Sequence, residues 1–139
     1  MLFRSFTLVY GILDLKDLSF QYTSAGHLGP VLMKKDSHIE QFDGHGPPVG
    51  MFADASYGKN RIQLEPGDRL FLLSDGVYEA RNSKEQELGL PGIYQYLQSE
   101  STHNYSLEYT VNSLARAVYH WSLPGKPGDD ISIIGLEIK

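Results

Sequence analysis

Two stretches of this sequence place carboxylates where they could do chemistry. In Leu72-Leu73-Ser74-Asp75-Gly76 an apolar run ends on a carboxylate, and the glycine after it allows a sharp turn or a close approach to an ion. In Gly128-Asp129-Asp130-Ile131 a loop rich in Pro and Gly delivers two adjacent carboxylates to the start of an apolar segment. Hard divalent cations such as Mg2+ and Mn2+ are held by carboxylate oxygens and water. Carboxylates at strand ends, contributed by segments distant in sequence, can hold such ions rigidly. Taken alone, each stretch is more commonly a turn or a solvated loop.

Three further groups have chemical side chains. His27, in Ser24-Ala25-Gly26-His27, has the type of a ligand or base, although such a histidine more often serves a loop. Asp43-Gly44-His45-Gly46 has a catalytic composition, yet Pro47-Pro48 after it favours a flexible turn. Arg81-Asn82 follows the Asp75 loop, and arginine suits phosphate, but Ser83-Lys84-Glu85 beside it reads as surface loop.

These groups must be carried by regular elements. Phe6–Leu13 is rich in β-branched and aromatic residues and reads as a buried strand. Asp14–Asp17 reads as a turn, and Leu18–Thr23 as the returning strand of a hairpin. Val31–Lys35 and His38–Phe42 suggest a second hairpin around Asp36-Ser37, followed by a Gly/Pro loop, Asp43–Gly50. Asn60–Leu64 and Arg69–Ser74 read as strands around a Glu65-Pro66-Gly67-Asp68 turn with no further role. Ile93–Gln98 reads as a helix with Pro91 near its first turn. Ser106 is the candidate N-cap of a second helix whose apolar face is Leu107, Val111, Leu114, Val118 and Trp121, ended by Pro124-Gly125. Ile131–Ile138 is the final buried strand. Many antiparallel-looking strands, two helices and one last strand predict an α+β fold, mainly an antiparallel β-sandwich with flanking helices.

The composition narrows the field. A chain of 139 residues with 41% hydrophobic content makes one domain or part of one, and can build a core. Net charge is −5 with no basic block, so a nucleic-acid partner has no electrostatic support. There is no cysteine, which excludes disulfides and thiolate metal sites and fits a reducing, cytoplasmic setting. No apolar run approaches the roughly 20 residues that span a bilayer, and Met1–Ser5 is too short and polar for a signal peptide.

Five segments together resemble the SpoIIE-like branch of the PPM family, the Mg2+/Mn2+-dependent protein serine/threonine phosphatases. Phe6–Asp14 resembles its mid-domain strand, and Tyr22–Pro30, with Ala25-Gly26-His27, its "NAGHxPP" loop. Gly46–Phe52 is similar to "G-x-PLG", Leu64–Asn82 to "L-x-PGD-x-LLLYTDGLTEARN", and Gly128–Ser132 to the terminal "DDIT". The resemblance implies an αββα phosphatase-like fold and a centre of two ions, Mn2+ or Mg2+. Asp75 and Asp129 would be metal ligands, with Gly76 and Asp130 in support and no catalytic side chain beyond them. It further implies metal-activated water attacking a phosphoserine or phosphothreonine of a regulatory protein, such as an anti-sigma-factor antagonist.

One departure accompanies the match. The family carries an earlier ligand segment of the form "D-x-SGHG", and residues 1–139 are expected to be the C-terminal portion of the domain, starting after it. Asp43-Gly44-His45-Gly46 mimics that segment in the wrong place and is read as coincidence. Low activity of the chain alone is therefore expected. An exposed sheet edge or apolar face is expected too, inviting a homodimer or pairing with the missing segment. Two alternatives stay open: a catalytically inactive phosphatase-like binding or regulatory module, and a β-rich structural domain without metal.

Overall fold

The structure is a computed structural model and describes residues 4–44, 46–99 and 104–139. The readings of Met1-Leu2-Phe3 and of His45 fall outside the described residues. In chain order the elements are β1 (Leu8–Asp14), β2 (Ser19–Ala25), β3 (Val31–Met33), β4 (Ile39–Gln41), β5 (Asn60–Gln63), β6 (Arg69–Leu73), α1 (Asp75–Tyr78), α2 (Gly89–Ser99), α3 (Leu107–Trp121) and β7 (Ile133–Glu137).

The strands form two antiparallel sheets, β1-β2-β5 and β4-β3-β6-β7. Period-two alternation explains how they stack. In the first sheet Phe20, Tyr22 and Ile62 point inward, and they meet Leu32 and Leu70 of the second sheet in a buried cluster with Leu64 and Ile138. The next residues along the second sheet, Val31, Met33, Phe71 and Leu73, face the other way and pack on Ile93 and Leu97 of α2 and Leu114 and Val118 of α3. The layers are therefore sheet, sheet, helices, as an α+β sandwich requires. A fully buried Leu or Phe in such a core contributes roughly 1.5–3 kcal/mol.

Helix α3 forms where its apolar period indicates. The Ser106 hydroxyl accepts from the Tyr109 backbone N–H at 3.1 Å and caps the first turn. The helix ends at Trp121, before Pro124-Gly125, with Ser122 as its C-cap. The turn at Pro66-Gly67 holds more than a turn: the buried Asp68 carboxylate accepts from the Glu65 and Lys35 backbone N–H groups and from Lys34 Nζ at 2.9 Å. A like arrangement anchors β6 to α3, where buried Arg69 pairs with Glu137 and donates to Thr110 and the Tyr105 carbonyl.

Two burial expectations are corrected. β1 is not buried: it is an edge strand, and Leu8, Tyr10 and Ile12 are exposed. Their partners across the ladder are Ala25, Thr23 and Gln21, of which Ala25 is buried and Gln21 exposed. Val9, Gly11 and Leu13 of β1 turn inward by the same alternation, and the Phe20 ring lies so close over Gly11 that a Cβ there would collide with it. β7 is likewise an edge strand; Ile134 is 56% exposed, while Gly135 sits under Leu107 and Val111 of α3. A third helix, the single turn α1, occupies what the sequence indicates only as a turn after Asp75.

Four groups make the fold sensitive to alkali. Burial raises the pKa of Tyr22, with Asp43 adding to it. Burial also raises Tyr78, aided by Asp75 and Glu79, and Tyr94. Lys34 is raised by its hydrogen bond to Asp68. Each holds its proton to higher pH folded than unfolded. The corresponding stability is complete below the ordinary values of about 10 and is lost as pH rises through the folded ones. The urea midpoint is expected to fall between about pH 9 and about pH 11, and to fall less in Tyr94→Phe. An unchanged midpoint across that range refutes the assignment.

Candidate active site

The β6–β7 pairing brings the two carboxylate segments together. The ladder runs to Leu73↔Ile133 and continues past it, with Ser74 N–H donating to the Ser132 carbonyl at 2.9 Å. The Ser74 hydroxyl then accepts from Ser132 N–H at 2.9 Å and donates to the Asp130 carbonyl at 3.1 Å. Occupied in this way, it makes no capping bond to α1, whose N-cap it is. Ser74 thus fastens the start of the Asp75 turn to the Asp129-Asp130 backbone.

Gly76 completes the junction for a steric reason. It is buried, and a Cβ on it would be driven into the Asp130 carbonyl oxygen, 3.0 Å from its carbon and 3.1 Å from the Asp129 oxygen. Its φ is not positive. The glycine is required here by close approach of a neighbouring chain rather than by the sharp turn that the sequence first suggests.

Asp75 and Asp129 are both exposed. Asp75 Oδ1 accepts from Gly76 N–H at 3.0 Å, and Asp129 Oδ1 from Asp130 N–H at 2.7 Å. Each side chain therefore keeps its remaining oxygen free of hydrogen bonds among the described residues. Asp130 contributes its carbonyl to the Ser74 clamp, and its exposed side chain takes no part in it.

A cleft of about 620 Å³ opens beside Gly76 and Asp129, lined also by Glu79, Arg81, Asn82 and Lys126. Arg81 and Asn82 reach it but are engaged elsewhere. Arg81 donates to Glu87 at 2.7 Å and lies 3.7 Å from Glu85; the Glu87 bond foremost holds its pKa above the usual guanidinium value. The Asn82 side chain accepts from the Lys84 and Gln86 backbones and donates to the Gln86 side chain. Both residues shape the 81–87 loop, which Trp121 fastens through Nε1 to the Gln86 carbonyl.

His27 and Asp43 do not line this cleft. The His27 ring nitrogen Nδ1 lies 2.8 Å from the Leu28 carbonyl, and its own carbonyl accepts from Ser24. The Asp43 carbonyl accepts from Tyr22, and Gly44 packs on the His27 carbonyl. The two loops brace each other, through Gly26 N–H to the Gly46 carbonyl at 2.8 Å.

The donor chemistry fits a hard divalent ion: two carboxylates, neither in an ion pair among the described residues, on segments whose backbones meet at one junction. The donor number falls short, because no group of three His, Cys, Asp or Glu side chains converges among the described residues. Mg2+ and Ca2+ ordinarily take six or more oxygens, several of them from water for Mg2+.

The SpoIIE family, described as Stage II sporulation protein E (SpoIIE), matches residues 2–139. The chain belongs to this family. Among curated proteins it is similar to Protein IcfG of Synechocystis, 24% identical over 131 residues, which are 94% of this chain and 20% of that protein. It is also similar to Phosphoserine phosphatase RsbU of Bacillus subtilis, 34% identical over 76 residues, which are 54% of this chain and 23% of that one. The chain thus spans about a fifth of the length of these relatives. Among solved structures, the manganese-presoaked phosphatase domain of B. subtilis SpoIIE superposes with a TM-score of 0.76 at 20% identity, over 96% of this chain and 56% of that one. That likeness establishes the shared phosphatase-domain fold.

Sequence reasoning missed three contributors. The clamping role of Ser74 leaves no signal, because it depends on which strand lies alongside. The steric demand on Gly76 is invisible for the same reason. Lys126 had a faint signal, a lone cation in the Pro/Gly loop leading into Asp129.

Proposed function

We propose that residues 1–139 form the C-terminal portion of a SpoIIE-type phosphatase domain that hydrolyses phosphoserine or phosphothreonine on a regulatory protein with Mn2+ or Mg2+. The observation that carries the reading is the junction at which Ser74 and Gly76 hold Asp75 against the Asp129-Asp130 backbone. In this reading Asp75 and Asp129 each donate a carboxylate to the metal centre, Gly76 lets their segments touch, and Asp130 fixes the loop through its carbonyl. A further ligand comes from another segment of the protein. When bound there, the ions activate water and offset the charge on the phosphate oxygens. The name of RsbU as a phosphoserine phosphatase supports the substrate class. The structure that pairs RsbU and RsbW domains in one Mycobacterium tuberculosis protein supports a partner in the same kind of circuit, such as an anti-sigma-factor antagonist.

The short donor set favours a second reading, a binding module without turnover. Hydrolysis of p-nitrophenyl phosphate by the protein carrying this chain, with Mn2+ and then with excess chelator, separates the two. Turnover that is lost with chelator and restored by Mn2+ is the expected result. Phosphopeptide binding without turnover would instead establish the module.

A further inference from the structure

A phosphate dianion entering the cleft beside Asp129 meets mostly negative side chains. Glu79, Glu85 and Asp129 line the cleft against Arg81 and Lys126, and Arg81 is already held by Glu85 and Glu87. Lys126 is exposed on the loop that ends in Asp129 and forms no ion pair or hydrogen bond among the described residues. Gly125 precedes it, and Pro127 and Gly128 follow it. Gly125 and Gly128 carry no side chain, and a Cβ built on Gly128 would meet nothing within 4 Å. Lys126 and Asp129 line the same open cleft.

We propose that Lys126 contacts the phosphate group of a phosphoserine-bearing peptide in this cleft and sets the affinity of the site for phosphorylated protein. The proposal rests on the phosphatase reading and adds a residue to it. An ammonium suits this role because it is a compact charge with three donors on a flexible stem, able to follow the phosphate as the ester is cleaved. Charge-assisted contacts are the stronger class of hydrogen bond. One such contact, formed with bound substrate and with product phosphate alike, lowers KM and the inhibition constant for inorganic phosphate together and leaves kcat nearly unchanged.

The test compares Lys126→Ala, Lys126→Arg and Lys59→Ala, a charge loss outside the cleft, in the protein carrying this chain, with Asp129→Asn as the control for the site. KM for a phosphoserine peptide and the dissociation constant of inorganic phosphate, measured by calorimetry with Mg2+ present, should both rise about tenfold in Lys126→Ala. Lys126→Arg should recover most of the loss, and Lys59→Ala should change neither. If Asp129→Asn abolishes turnover while Lys126→Ala leaves both constants unchanged, the role of Lys126 is overturned and the phosphatase reading stands. If Asp129→Asn has no effect on turnover, both are overturned.

Discussion

Asp75→Asn and Asp129→Asn, made separately in the protein carrying this chain, are each expected to lower Mn2+-dependent phosphate-ester hydrolysis by about 10³-fold. Asparagine preserves the shape of the side chain and its bond from the next backbone N–H. It removes the negative charge that a divalent ion requires. Both side chains are exposed and, among the described residues, paired only with that local N–H. Removing the charge should therefore shift folding stability by no more than about 0.5 kcal/mol. Activity and stability should separate cleanly, the one collapsing while the urea midpoint stays in place. Mn2+ affinity should fall with activity. A variant that hydrolyses p-nitrophenyl phosphate at the original rate would remove that aspartate from the metal centre.

Gly76→Ala should do the opposite and damage both properties together. In an ordinary helix the change from glycine to alanine is favourable by roughly 0.5–1 kcal/mol. Here the new methyl is forced against the Asp130 carbonyl, which Ser74 holds in place through its hydroxyl. Overpacking of this kind costs about 1–3 kcal/mol, so the clash outweighs the propensity and the variant is expected to be less stable. Relief of the clash requires the 128–130 loop to move away from α1. A displacement near 1 Å at a catalytic centre costs roughly 10²-fold in rate. Gly58→Ala supplies the control, since a Cβ there would meet nothing within 4 Å. Chemical unfolding and steady-state rates on the two variants decide the matter: equal behaviour would show that the junction yields without consequence.

These two outcomes bear differently on the phosphatase reading. The aspartate variants test the chemistry of the ligands themselves. The glycine variant tests whether the junction matters as a geometric device, and its failure would leave the ligands in place. The fold around the junction gives the reason for expecting rigidity. β6 is buried against β3, α2 and α3, and its last residue, Leu73, is 3% exposed, so the Asp75 turn starts from a fixed point. Asp129, in contrast, depends on an edge strand and an exposed loop, and Ser74 and Gly76 are what hold that loop to the fixed side.

Much of this was legible in the amino-acid order. The hairpin from Leu8 to Ala25, the Ser106 cap and the apolar face of α3 follow from local pattern: side chains two apart share a strand face, and those three and four apart share a helix face. The family resemblance and the two aspartate motifs were also present in the sequence, because ligand types and glycine positions are chemical facts of the chain. Burial was not legible in β1 and β7. Phe6–Leu13 has the composition of an interior strand, yet Leu8, Tyr10 and Ile12 are exposed on an edge strand. Composition reports what a segment can bury; what lies against it is a property of the other layers. In the same way the sequence determined that Asp75 and Asp129 are carboxylates next to glycines. Only tertiary structure decided that they share one junction, that Ser74 clamps it, that Gly76 is there for lack of space, and that among the described residues Arg81 is spoken for while Lys126 is not. Those outcomes depend on the antiparallel register of β6 with β7, a contact between residues some sixty positions apart that no local pattern encodes.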